Sequence, residues 1–164
     1  MLLEARHLVK RFDVGGGLFR RAGQVHAVED VSFGIEPGRT FALVGESGCG
    51  KTTVAKLMLL LERPTAGEVV YRGRAVSGLS GGALTEFRSE VQAVFQDPYS
   101  SLNPRMRVGR IVSEPLLVHN RMSGAEARKR VEEALEVVGL PRAAAKLYPH
   151  EFSGGQRQRI AIAR

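Results

Sequence analysis

Gly45-Glu46-Ser47-Gly48-Cys49-Gly50-Lys51-Thr52-Thr53 lies between two apolar segments of different character. Before it, Thr40 to Val44 (TFALV) is a short unbroken apolar run, the mark of a strand buried on both faces of a parallel sheet. After it, residues 54–62 (VAKLMLLLE) have the composition and length of a helix. Gly45, Gly50, Lys51 and Thr52 satisfy G-x-x-x-x-G-K-[ST] without a mismatch. Such a loop wraps a phosphate chain with inward N–H groups, and its glycines permit the dihedrals and the close approach. Lys51 would set a positive charge between the outer phosphates, Thr52 would ligate magnesium, and the helix would add its N-terminal dipole. The competing reading is a glycine turn beside a surface lysine. A strand directly before and a helix directly after favour the phosphate loop.

Within that loop Glu46, Ser47, Gly48, Cys49 and Thr53 complete the candidate contacts to nucleotide. Cys49 has two readings. It is either a small residue that fits a tight loop, or a thiol near a helix N-terminus whose alkylation would obstruct nucleotide.

Outward from the loop, Leu2 to Val9 reads as a strand and Gly15 to Gly23 (GGGLFRRAG) as a basic glycine-rich loop. Val25, Ala27, Val31, Phe33 and Ile35 recur with a mostly two-residue period, predicting a half-buried strand over 25–35. Pro37-Gly38 is a turn, Pro64 to Gly67 ends the first helix, and GEVVYRG (67–73) supplies another strand. Glu90 to Phe95 is a further strand candidate, followed by Gln96 and the turn-rich DPYSSLNP. From Val108 the pattern becomes helical. Ser123 and Glu126 form a capping box ahead of Ala127, Val131, Ala134, Leu135 and Val138 on one helix face. Gly139 stops that helix, Pro141 and Pro149 punctuate the next dozen residues, and a last helix begins at Ser153. There is no internal repeat.

The bulk numbers bound the class. A chain of 164 residues, 43% hydrophobic and 25% charged, is an ordinary globular domain. No window approaches the roughly 20 apolar residues of a membrane span. The charged start MLLEARHLVKRF argues against a signal peptide. One cysteine cannot form an internal disulfide, in keeping with a reducing compartment. Net charge is +7, from 24 Lys and Arg against 17 Asp and Glu. The arginines are dispersed and no aromatic residues interleave with them, so nucleic-acid binding is the minor reading.

A second glycine motif narrows the class. Phe152-Ser153-Gly154-Gly155-Gln156, followed by RQRIAIAR, resembles the LSGGQ signature of ABC ATPases, with Phe in place of the leading Leu. Together with Gly45–Thr53 and Gln96 it reproduces the family's order over residues 3–164. Ser153 would cap the next helix and leave its hydroxyl and the Gly154 and Gly155 N–H groups facing outward as an anion site. The resemblance implies an α/β fold: a P-loop NTPase core with a β-rich N-terminal part, an ABC helical subdomain, and an incomplete sheet. It implies a nucleotide-binding core over 1–96, a Q-loop and helical subdomain over 97–152, and a signature helix over 153–164. It also implies ATP and Mg2+ as ligands.

Further roles rest on the resemblance alone. Gln96 would be the Q-loop glutamine, touching metal or the attacking water. Phe12 would stack on adenine, with a core phenylalanine as its plain alternative and Phe19 as a rival. Ser153, Gly154, Gly155 and Gln156 would meet the ATP held by a second ABC ATPase subunit paired head to tail. Residues 96–105 (QDPYSSLNPR) and Tyr148-Pro149-His150-Glu151 look like those of subunits serving oligopeptide, dipeptide and nickel importers. The implied partners are two transmembrane permease subunits and, indirectly, a solute-binding protein, at the cytoplasmic face of the membrane. The family's Asp-Glu strand, dimer-interface loop and switch histidine would come after the signature helix. None occurs before Arg164, so this chain is expected to bind nucleotide weakly at best and not to turn it over. Two other readings stand beside this one: a non-catalytic nucleotide-binding fragment, and a non-transport ABC protein acting on DNA or ribosomes.

Overall fold

The structure is a computed structural model that describes residues 1–14, 23–95, 101–119 and 122–164. It divides into two compact units, Met1–Val91 and Gln92–Arg164.

The first unit is built on a four-stranded antiparallel sheet of order β2-β1-β3-β4, with β1 at Leu3–Val14, β2 at Gly23–Ile35, β3 at Ala66–Tyr71 and β4 at Arg74–Ala75. Strand β1 runs five residues beyond the predicted Val9, pairing Phe12 with Val25 and Val14 with Gly23. The basic glycine-rich loop at 15–22 lies outside the described residues. Alternation along β1 is broken at His7, which is left-handed at φ 49°. The register shifts there against both neighbours, so that Leu8 follows Ala5 into the core. Gly67 of β3 passes beneath this bulge, where a Cβ would stand 2.5 Å from the Arg6 carbonyl oxygen and nearer still to that of His7. Only glycine fits there.

Helix α1, Lys51–Met58, lays Val54, Leu57 and Met58 on that sheet, joining Ala5, Leu8, Val28 and Val69 in one cluster. Leu8 and Leu57 are fully buried, which stabilises the unit by about 2 kcal/mol each. Strands β3 and β4 are joined by a two-residue turn with Arg72 and Gly73 both left-handed, the primed geometry that suits a twisted hairpin. Helix α2, Gly81–Glu90, has no counterpart in the sequence reading. It buries only Phe87, edge-on to Tyr71 at 5.5 Å.

Two predicted strands are corrected. Residues 40–44 form no strand: Phe41 stacks on Phe33 at 4.6 Å, and Val44 is 88% exposed. Residues 90–95 form none either, since Glu90 closes α2 and ion-pairs with Arg72 at 3.1 Å while 92–95 are irregular. The reason is the same for both. A strand buried on two faces must pair its N–H and C=O groups with neighbouring strands. Among the described residues no strand pairs with either segment, so both remain open to water.

The second unit is helical. Helices α3 (Val108–His119), α4 (Gly124–Val137) and α5 (Gly154–Ala163) enclose Val108, Ile111, Val112, Val131, Leu135, Leu140, Phe152 and Ile160. Ser123 caps α4, its hydroxyl accepting the Glu126 N–H at 3.4 Å. Gly139 (φ 72°) ends α4: its N–H donates to Glu136, and the Leu140 N–H to Leu135. That pair of bonds is a Schellman motif, with Leu140 packed back on the core. Short 3-10 turns at Arg142–Lys146 and Pro149–Glu151 lead to α5. No helix among the described residues is long and apolar enough to cross a membrane.

Candidate functional site

Residues 45–50 form a curled loop that delivers the chain into α1. The Cys49 N–H donates back to the Glu46 carbonyl at 3.3 Å, and Gly48 and Gly50 are left-handed at φ 84° and 94°. Lys51 folds into the concavity. Its Nζ donates to the carbonyl oxygens of Gly45 at 2.7 Å and of Glu46, and lies 3.6 Å from the exposed Cys49 Sγ. Gly45 and Cys49 face each other across the curl, since a Cβ on Gly45 would stand 2.6 Å from that sulfur.

The helix end that the loop creates has no partner of its own. The first intrahelical bond runs from the Val54 N–H to the Gly50 carbonyl, so the N–H groups of residues 51–53 have no acceptor within the helix. Gly50, at the cap, provides no side chain, and no acidic residue occupies the first turn. Donors converging on a positive dipole end beside an ammonium make an anion site. Thr52 adds an exposed hydroxyl one residue into the helix. It is an oxygen ligand suited to a hard cation such as Mg2+.

Strand β2 fixes where this loop stands. The pairing of β1 with β2 skips Ala27, which bulges between the Lys10–Val28 and Arg11–His26 pairs. The bulge brings the Ala27 carbonyl against Gly50, where a Cβ would come within 2.3 Å of the oxygen. Phe12 pairs with Val25 in the same stretch, so one strand pair carries both the loop's anchor and the aromatic candidate. Phe12 is 37% exposed, which excludes its alternative as a core residue. Beside it His26 Nδ1 lies 2.8 Å from Glu29, and Arg11 lies 3.3 Å away. The His26 hydrogen bond first, then Arg11, holds the Glu29 carboxyl below the usual carboxylate range.

In the second unit Ser153 caps α5 with a complete box. Its hydroxyl accepts the Gln156 N–H at 3.3 Å, while the Gln156 side chain accepts the Ser153 N–H at 2.9 Å. Residues 153–156 are all exposed. A Cβ on Gly154 or on Gly155 would meet nothing within 4 Å, and neither is left-handed. Nothing inside the described chain therefore demands glycine at 154 or 155, whereas close approach of an outside group would. Gln96 lies outside the described residues. The backbone carbonyl of Ala27, which stands against Gly50, was not foreseen, since a carbonyl leaves no trace in a sequence.

Comparison with known proteins gives the chain's family. Residues 28–164 match the family described as ABC transporter. The chain is 51% identical to the glutathione import ATP-binding protein GsiA of Pectobacterium atrosepticum, over 99% of this chain and 26% of that one. It is 47% identical to the di/tripeptide transport ATP-binding protein DppF of Pseudomonas aeruginosa, over 99% of this chain and 50% of that one. It thus spans about a quarter to a half of these curated relatives. Among solved structures, the dimeric bacterial ABC transporter cassette MJ0796 superposes with a TM-score of 0.83 at 32% identity, covering 99% of this chain and 68% of that one. The same cassette in a post-hydrolysis state bound to ADP and Pi gives 0.81 at 31% identity, with the same coverage. With a family match running from β2 to the last residue, the chain belongs to the ABC transporter family.

Proposed function

We propose that this chain is the nucleotide-binding part of an ATP-binding subunit that powers ABC-type import of peptides or related small solutes. The observation that carries this is the uncapped N-terminus of α1, its loop curled around Lys51. Gly45, Glu46, Ser47, Gly48, Cys49 and Gly50 cradle the phosphates with backbone N–H groups, while Lys51 supplies the charge. Thr52 and Thr53 add hydroxyls at the helix end. Phe12 stacks on the adenine ring. Mg2+, held by Thr52 together with the phosphates, would screen the charge that builds up on them.

The capped end of α5 serves a second nucleotide. Ser153, Gly154, Gly155 and Gln156 approach the triphosphate held by another ABC ATPase subunit, either a second copy or a sister chain. The pair docks on two permease subunits at the cytoplasmic membrane face, with a solute-binding protein acting through them. The names of the relatives support the solute class, since one imports glutathione and the other transports di- and tripeptides. Functional divisions at 96/97 and 152/153 separate the nucleotide core, the Q-loop with its helical subdomain, and the signature helix.

Calorimetry with Mg-ATP tests the site. Lys51→Ala removes charge-assisted hydrogen bonds to phosphate and should weaken binding at least tenfold. Equal affinity of the two proteins would refute the assignment.

A further inference from the structure

Lys10 and Phe12 stand two residues apart on one face of β1. The Lys10 ammonium lies 4.8 Å from the Phe12 ring centroid. Lysine at a strand surface ordinarily extends into water. Here the side chain is only 13% exposed, with Nζ 3.2 Å from the Glu62 carboxylate and donating at 2.9 Å to the Arg63 carbonyl. Both partners come after α1, whose opposite end forms the anion site. One face of the Phe12 ring therefore carries a fixed cation, while the ring as a whole stays more than one-third exposed and its cross-strand neighbour Val25 is exposed too.

We propose that Lys10 is a positioning residue for the nucleotide base: it clamps the Phe12 ring from behind and presents the opposite face to adenine, giving a base–ring–ammonium sandwich. The proposal rests on Phe12 being the base-stacking residue. A cation draws π-density toward its own face and leaves the far face less negative, which suits an electron-rich purine. A ring already held still also loses less freedom when the base arrives.

Amide-shift titrations of the 15N-labelled 164-residue chain test this, with Mg-ATP and with Mg-tripolyphosphate, which has no base. Lys10→Met should weaken ATP about threefold and leave tripolyphosphate unchanged. Unchanged tripolyphosphate binding also shows that the variant is folded. Lys10→Arg should restore ATP affinity, and Lys10→Met should add nothing on top of Phe12→Ala. Equal weakening of both ligands by Lys10→Met would overturn the proposal, because the lysine would then act on the phosphates or the fold. Full ATP affinity in Lys10→Met beside a weakened Phe12→Ala would overturn the role of Lys10 and leave that of Phe12 standing. Unchanged ATP affinity in Phe12→Ala would remove the stacking residue itself, and the proposal with it. An ATP titration of the unaltered chain that moves no amide would remove the nucleotide site altogether.

Discussion

The carbonyl of Ala27 and the α-carbon of Gly50 touch, so closely that a Cβ on Gly50 would stand 2.3 Å from the oxygen. This contact brings the candidate phosphate loop against β2 and leaves no room for a side chain at position 50. Gly50→Ala adds that clash to a left-handed φ of 94°, which alone costs an L-residue about 1–2 kcal/mol. The variant is expected to unfold at lower urea and to bind Mg-ATP at least tenfold more weakly, since the loop must lift from β2. Undiminished binding would show that the contact does not place the loop.

His7, left-handed at φ 49°, offers a test of strain against pairing. Its Nδ1 lies 2.7 Å from Asp30, but both side chains are more than two-thirds exposed, where such a pair is worth little. Asn tolerates this conformation and a β-branched residue does not. His7→Asn should therefore hold stability or raise it by up to about 0.5 kcal/mol, whereas His7→Val should lower it by about 1–2 kcal/mol. Urea unfolding of both variants checks this; an equal loss in the two would mean that the His7–Asp30 contact, which both remove, outweighs the backbone.

At the start of α5, Ser153 and Gln156 satisfy each other's N–H groups. Ser153→Ala should cost about 1 kcal/mol, and Ser153→Asp, an equally good cap, should stay within a few tenths of the parent. Thermal unfolding separates the two. A costly Asp would show that something other than capping governs the position.

Glu136 makes two bonds to Arg142, at 2.7 and 3.0 Å. The hydrogen-bonded guanidinium, aided by its charge, holds the Glu136 carboxyl below the usual carboxylate range despite partial desolvation. A depressed folded value stabilises the protein above the unfolded midpoint of about 4.3 and ceases to do so as pH falls through the lower folded midpoint. The 13C titration of the Glu136 carboxyl should thus give a midpoint below about 4.3, moving upward in Arg142→Gln. A midpoint that ignores Arg142 would show that the pair does not persist in solution.

Much of the candidate site was legible because its physics is local. A left-handed glycine, a lysine one residue on and a helix start all fall within nine residues, and no distant contact is needed to predict their conformation. The same holds for the Ser123 and Ser153 caps and for the Gly139 stop, each settled by hydrogen bonds spanning at most five residues. Helix α2 escaped notice because it buries one apolar side chain, Phe87, behind two glycines, too little to set a period.

Sequence alone therefore determined the glycine curl before Lys51 and the three helices of the second unit, for in each the residue types dictate backbone geometry over a few positions. The two-residue alternation expected over 25–35 does not hold, since Val25 is exposed, Ala27 bulges and Val28 is the buried residue. Tertiary structure alone decided that Thr40–Val44 and Glu90–Phe95 are not strands, that a bulge at Ala27 anchors Gly50, and that Lys10 reaches Glu62 and Phe12 together. Those outcomes turn on partners up to dozens of residues away. A strand exists only where another strand accepts its hydrogen bonds, and a carbonyl's direction depends on a register that no single segment contains.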